Sequence, residues 1–179
     1  MSNIQINCKK YINEKGRKLP VYKCLIADGY EEKKHTLALM IRQQPGGKFT
    51  FAYFLLDRYC LGVKDCFSNC NADDATLQKI IDSMAANSSL VEIDAVSFHN
   101  MVYAAFDYGV ENGFKPNKDF LMAERVLEPD LIDDGIDEVE VGENGQPLFI
   151  SGPHDNVNKI LATLDKNVGK GNYNYLTMI

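Results

Sequence analysis

Apolar and polar positions along this chain change period several times, and each change marks an element. Thr36-Leu37-Ala38-Leu39-Met40-Ile41 is a short apolar run, Pro45-Gly46-Gly47 breaks it, and Phe49-Thr50-Phe51-Ala52-Tyr53-Phe54-Leu55-Leu56 follows. Two apolar runs joined by a Pro/Gly turn read as a β-hairpin. In the second run both alternating faces are apolar, with Phe49, Phe51, Tyr53 and Leu55 on one and Ala52, Phe54 and Leu56 on the other. A strand of that kind is covered on both sides, which puts it inside a sheet. Upstream, Val21 to Ile26 has the β-branched and aromatic content of another strand, with Asp28-Gly29 as its turn.

Helical spacing takes over after the hairpin. Asp73 or Asp74 caps a helix whose Leu77, Ile80, Ile81 and Met84 share one face. A second helix opens near Asp94 or Ser97 and stops at Gly113. Its buried face holds Val102, Ala105, Phe106 and Gly109, and Gly109 permits close packing of the helix. A third follows Pro116 with Asn117 as cap, carries Phe120, Leu121, Glu124 and Leu127, and ends at Pro129. Val139 and Val141 alternate with carboxylates as in a solvent-facing strand, residues 142–145 turn, and Leu148-Phe149-Ile150 returns. A fourth helix, capped near Asp155, buries Val157, Ile160, Leu161 and Leu164 and stops at Gly169. Tyr173, Tyr175 and Thr177 alternate in a last strand. These elements predict an α+β fold: a mainly antiparallel sheet with a central apolar hairpin and about four packed helices.

The 179 residues fit a single globular domain, with a basic, turn-rich segment over 1–35 and a main body over 36–179. No apolar run has the ~18 residues of a membrane span. The start, Met1-Ser2-Asn3-Ile4-Gln5, lacks the basic-then-apolar layout of a signal peptide, so the expected location is the cytoplasm. The five cysteines are odd in number and irregularly spaced, which argues against a disulfide framework and for free thiols. Charge is polarised along the chain. Up to Lys64 there are twelve Lys/Arg and five Asp/Glu, and from Asp65 onward seven and twenty. Residues 128–143 carry eight carboxylates and no Lys or Arg.

The hairpin exit, from Asp57 to Asp65, concentrates reactive side chains. If pairing continues unbroken, Asp57 shares a face with Phe51, Tyr53 and Leu55 and is partly desolvated there. Asp57, Lys64 and His154 are the candidate catalytic residues of a hydrolase; a structural ion pair or a turn cap is the plainer role for Asp57. The restriction-endonuclease pattern needs an acidic residue two before the lysine, and Gly62 stands there instead. Cys66 and Cys70 make only half a zinc site, and Cys8, Cys24 and His35 are too scattered to complete it, so no metal or cofactor is expected. Cys60 with His154 would be a thiolate nucleophile only if folding brought them together. No phosphate-binding loop is present. Lys9, Lys10, Arg17 and Lys18, in a basic third interleaved with Tyr11, Tyr22 and Tyr30, are candidate contacts to nucleic acid, through phosphates and stacked bases.

Three blocks resemble a family of bacterial proteins without an assigned activity. They are Leu55-Leu56-Asp57-Arg58-Tyr59-Cys60-Leu61-Gly62-Val63-Lys64-Asp65, then Gly113-Phe114-Lys115-Pro116-Asn117-Lys118-Asp119-Phe120, then Gly145-Gln146-Pro147-Leu148-Phe149-Ile150-Ser151-Gly152-Pro153-His154-Asp155. Members often carry His at the position of Asn117, so a catalytic role there is not implied for this chain. The resemblance implies one domain and brings no activity. With no complete catalytic constellation and a polarised charge, a non-enzymatic binding or interaction module for nucleic acid or protein is the leading expectation. The hydrolase is its alternative, and a structural subunit is the third.

Overall fold

A computed structural model describes residues 7–128, 130, 133 and 139–177. The expectations at the extreme N-terminus, at Pro129 and over most of the acidic stretch fall outside these residues. The fold is α+β. A five-stranded antiparallel sheet runs in the order β4-β3-β2-β1-β5. Its strands are β1 (Val21–Ala27), β2 (His35–Gln43), β3 (Phe49–Asp57), β4 (Gly62–Ala72) and β5 (Leu90–Ile93). The predicted hairpin is β2 and β3, paired from Gln43 opposite Phe49 to His35 opposite Asp57. β3 is an inner strand, as its two apolar faces require.

Those faces have different covers. Cys24, Ile26, Ala38, Met40, Ala52, Phe54 and Leu56 pack beneath α1 (Cys8–Lys15), α3 (Ala95–Glu111) and the single turn α4 (Phe120–Ala123). Leu39, Ile41, Phe49 and Phe51 pack beneath α2 (Asp74–Ala85), which contributes Leu77 and Met84. Asp73 and Asp94 cap α2 and α3 through backbone N–H groups of Thr76 and Ser97, each at 2.9 Å. Gly109 does permit a close approach: a Cβ there would stand 2.7 Å from the Cα of Gly62.

A smaller unit follows. β6 (Leu148–Ile150) and β7 (Asn174–Leu176) are parallel and joined by α5 (Val157–Asn167). Parallel strands need such a crossover. Phe149 and Leu164 bury against Cys60 and Leu61 at the hairpin exit, and Leu148 N donates to Tyr59 O at 3.0 Å.

Several expectations are corrected. Cys8 and Cys70 form a disulfide, bridging α1 to β4. Such bonds persist in oxidising surroundings, so this pair and a cytoplasmic location pull in opposite directions. The third helix shortens to α4 and a 3₁₀ turn, with Asp119 rather than Asn117 at its N-cap and Leu121 exposed. Residues 139–141 form no strand. The cap expected near Asp155 is its neighbour Asn156, whose side chain accepts from Lys159 N at 3.0 Å. Among the described residues no helix is long and apolar enough to cross a membrane.

Candidate functional site: a pocket at the hairpin exit

Asp57 ends β3, and its Oδ1 accepts hydrogen bonds from the backbone N–H groups of Tyr59 and Cys60, each at 3.0 Å. This Asx turn reverses the chain into β4 and fixes the carboxylate. The residue is fully buried. Its Oδ2 lies 3.0 Å from Nε2 of His35, the residue directly across the hairpin. The contact has ion-pair distance but not hydrogen-bond alignment, so Oδ2 has no directed donor as the rings stand. His35 remains accessible on its other side, with 38% of its side chain exposed, and packs edge-on against Tyr59.

Lys64 reaches the same place through an irregularity. Leu55 pairs with Asp65 and Leu56 with Val63, so Lys64 is the extra residue of a bulge. A bulge re-aims a side chain that strict alternation would send to the other face. Lys64 Nζ donates to Asp155 Oδ2 at 2.6 Å, and that oxygen also accepts from Gly152 N at 2.7 Å. Burial alone would raise the Asp155 pKa, but the Lys64 and Gly152 hydrogen bonds and the nearby Lys64 charge outweigh it and hold the carboxyl below its ordinary value. Together His35, Leu55, Leu56, Asp57, Lys64, Ile150, Ser151 and Gly152 line a cavity of about 310 Å³. It opens on the seam between the main sheet and the β6–α5–β7 unit, a common place for small-molecule sites.

The floor of this corner is stapled by buried cations. Arg58 donates to Glu140 O at 2.8 Å and to Tyr30 O. Burial lowers its pKa, against the raising effect of Glu140. Lys34 stands 3.6 Å from Glu140 and 3.5 Å from Glu143, with its ammonium over the Tyr59 ring. These contacts hold residues 140–143 against the hairpin exit.

Of the residues singled out from sequence, Asp57 and Lys64 line one cavity. His154 is exposed and does not line it. Cys60 is buried in the smaller core, and burial pushes its thiol far above the ordinary range, which removes it as a nucleophile at neutral pH. Cys70 is committed to the disulfide, so the imagined Cys66/Cys70 half-site does not exist. Asn117 is a loop pin: its Nδ2 donates to Asp65 Oδ1 at 3.0 Å and its Oδ1 accepts from Asp119 N at 2.9 Å. His99 is packed, its Nδ1 against Ala95 O and its Nε2 accepting from Glu128 N at 2.5 Å. Lys9, Lys10 and Lys18 are exposed, whereas Arg17 is 3.8 Å from Glu124.

His35, Asp155 and Ser151 are not singled out as site residues from sequence. A signal for His35 existed: counting outward in step from the Pro/Gly turn places it opposite Asp57. Nothing local announced Asp155 or Ser151, which arrive through the packing of a distant unit. Comparisons with known protein families, with curated proteins and with solved structures each found no match.

Proposed function

We propose that the protein is a hydrolase whose site is the hairpin-exit pocket. The carrying observation is the buried Asp57 carboxylate 3.0 Å from His35 on the wall of a cavity. A fixed carboxylate beside one imidazole nitrogen favours the tautomer that carries its proton there, and leaves the other nitrogen to act as a base. His35 takes a proton from a water, the resulting hydroxide attacks the carbonyl carbon of an ester or amide, and the imidazolium returns the proton to the departing oxygen or nitrogen. Asp57 stabilises the imidazolium without taking its proton. The Lys64 ammonium, held by Asp155, has N–H groups left to face the oxygen on which negative charge develops.

A panel of chromogenic esters, amides and phosphoesters, run with the wild type, His35→Ala and Asp57→Asn, tests this. Turnover that falls by about a hundredfold or more in His35→Ala is expected. Absence of turnover across the panel, or turnover indifferent to His35, refutes it. The binding-module reading keeps the exposed Lys9, Lys10 and Lys18 in its favour. It predicts salt-sensitive binding of nucleic acid, lost when the three become Ala, and no binding even at low salt would remove it.

A further inference from the structure

The proposed hydrolase pocket does not end at His35. On the same face of the sheet, strand alternation places Leu37 after His35, and Leu55 and Tyr53 before Asp57. A second cavity, of about 240 Å³, is lined by Leu37, Tyr53, Asp65, Phe67, Ile80, Ser83 and Met84, under the flank of α2. The two cavities are neighbours on this face, since Leu37 of the second and Leu55 of the first are paired across the hairpin. Lys64 of one and Asp65 of the other are consecutive. α2 covers one end of this sheet face, over Leu39, Ile41, Phe49 and Phe51. The β6–α5–β7 unit brings Ile150 to Gly152 to the other. Between them this face carries polar groups at His35, Lys64 and Ser151 and the apolar side chains of Leu55, Leu37, Tyr53 and Phe67, with the Asp65 carboxylate at the edge of the second cavity.

We infer that the substrate is an ester of a medium-length acyl chain, with its carbonyl at His35 and its hydrocarbon tail laid along this floor into the slot beside Ile80 and Ser83. The inference rests on the hydrolase reading and names its substrate class. β3 is paired on both sides, β2 is paired with β3 throughout and with β1 from Ala38 onward, and the backbone groups of both strands lie in the plane of the sheet rather than on its face. The floor therefore offers almost no main-chain partners, and a peptide laid there would leave its own backbone groups unsatisfied. A hydrocarbon needs none. Phe67 is left 38% exposed at the slot, where a tail would cover it. At a rise of about 3.3 Å per residue, the floor from Asp57 to Tyr53 is about 13 Å long, the reach of an extended acyl chain of roughly ten carbons.

The experiment uses the full chain with p-nitrophenyl acetate and p-nitrophenyl decanoate, and separately the binding of decanoate and acetate ions followed by NMR. Ser83 is exposed at the slot, so Ser83→Trp plugs it without removing a core contact. Wild type is expected to prefer the decanoyl ester by at least tenfold in kcat/KM. Ser83→Trp should abolish that preference while leaving acetate hydrolysis intact, and should weaken decanoate binding at least tenfold. Phe67→Gln, which makes part of the apolar floor polar, gives a second reading if Ser83→Trp does not fold: it should likewise weaken decanoate binding and the preference for the decanoyl ester. Acetyl ester hydrolysis with no chain-length preference overturns this inference and leaves the hydrolase standing. Decanoate binding that Ser83→Trp weakens, with no hydrolysis of either ester, overturns the hydrolase and leaves a tail site. Decanoate binding untouched by both variants, or a dimer that covers this face and excludes decanoate, also overturns it.

Discussion

Gly109→Ala would ordinarily stabilise a helix. Alanine is better than glycine in a helix interior by about 1 kcal/mol. Here the sign reverses. The new Cβ would lie 2.7 Å from Gly62 Cα, 2.8 Å from Leu61 O and 3.0 Å from Gly62 N. All three are backbone atoms, so no rotamer change relieves the contact, and α3 and the start of β4 have to separate. Overpacking costs about 1–3 kcal/mol, and a backbone collision belongs near the top of that range. The expected net loss is about 2 kcal/mol, or roughly a 4–8 °C fall in Tm for a chain of this size. Urea melts followed by circular dichroism should show a lower midpoint with an unchanged slope. Gly62→Ala should cost more, since Gly62 also has φ of 81° and its Cβ would stand 2.9 Å from Ala105 O. The two losses should not add, because both push the same pair of backbones apart. A Gly109→Ala protein as stable as wild type would refute the close approach of α3 to β4.

Three further outcomes are expected. Replacing Cys8 and Cys70 by Ser opens a loop of sequence separation 62 and should lower stability by up to about 4 kcal/mol; equal urea midpoints with and without reductant in wild type would show that the pair is not linked. Burial, opposed by the Ala95 hydrogen bond and reinforced by Arg42, lowers the His99 pKa, so the folded state favours the neutral ring. The protein then takes up a proton on unfolding and loses stability as pH falls below about 6.5, and His99→Gln should flatten that slope in melts from pH 8 to 5. Asp155→Asn weakens the Lys64 pair and the Gly152 contact and should cost about 1–2 kcal/mol. Because the Asp155 carboxyl sits below its ordinary value, its stabilising effect is present above pH ~4 and fades as pH falls further, so wild type and Asp155→Asn should converge in strong acid.

The sheet's inner strands, α2, α3 and α5 were legible because each buries a regular stripe. β4 was not recognised as a strand: it lies at the sheet edge, and its Asn69, Asn71 and Asp65 face water. α1 escaped because among its eight residues only Ile12 is buried, too few to show a period. β5, four residues at the other edge, was passed over for the same lack of pattern. The site divides along the same line. Asp57 stood out because a carboxylate continued an apolar face. Lys64 lay in a suspicious stretch, but its direction depends on a bulge that the residues do not announce. Residue type alone favours His154 over its neighbour Asp155, whereas the packing of the β6–α5–β7 unit brings Asp155 to Lys64.

The position of that small unit also carries a consequence for the order of assembly. The strands β1 to β4 follow one another in sequence and pair as neighbours, so their contacts close short loops. The unit carrying Ser151 and Gly152 docks on Tyr59, Cys60 and Leu61, which present a surface only once the Asp57 turn has formed. Long-range docking is slow relative to hairpin closure. The body can thus be built before its pocket exists, and a chain halted at that stage would hold its sheet while lacking one wall of the cavity.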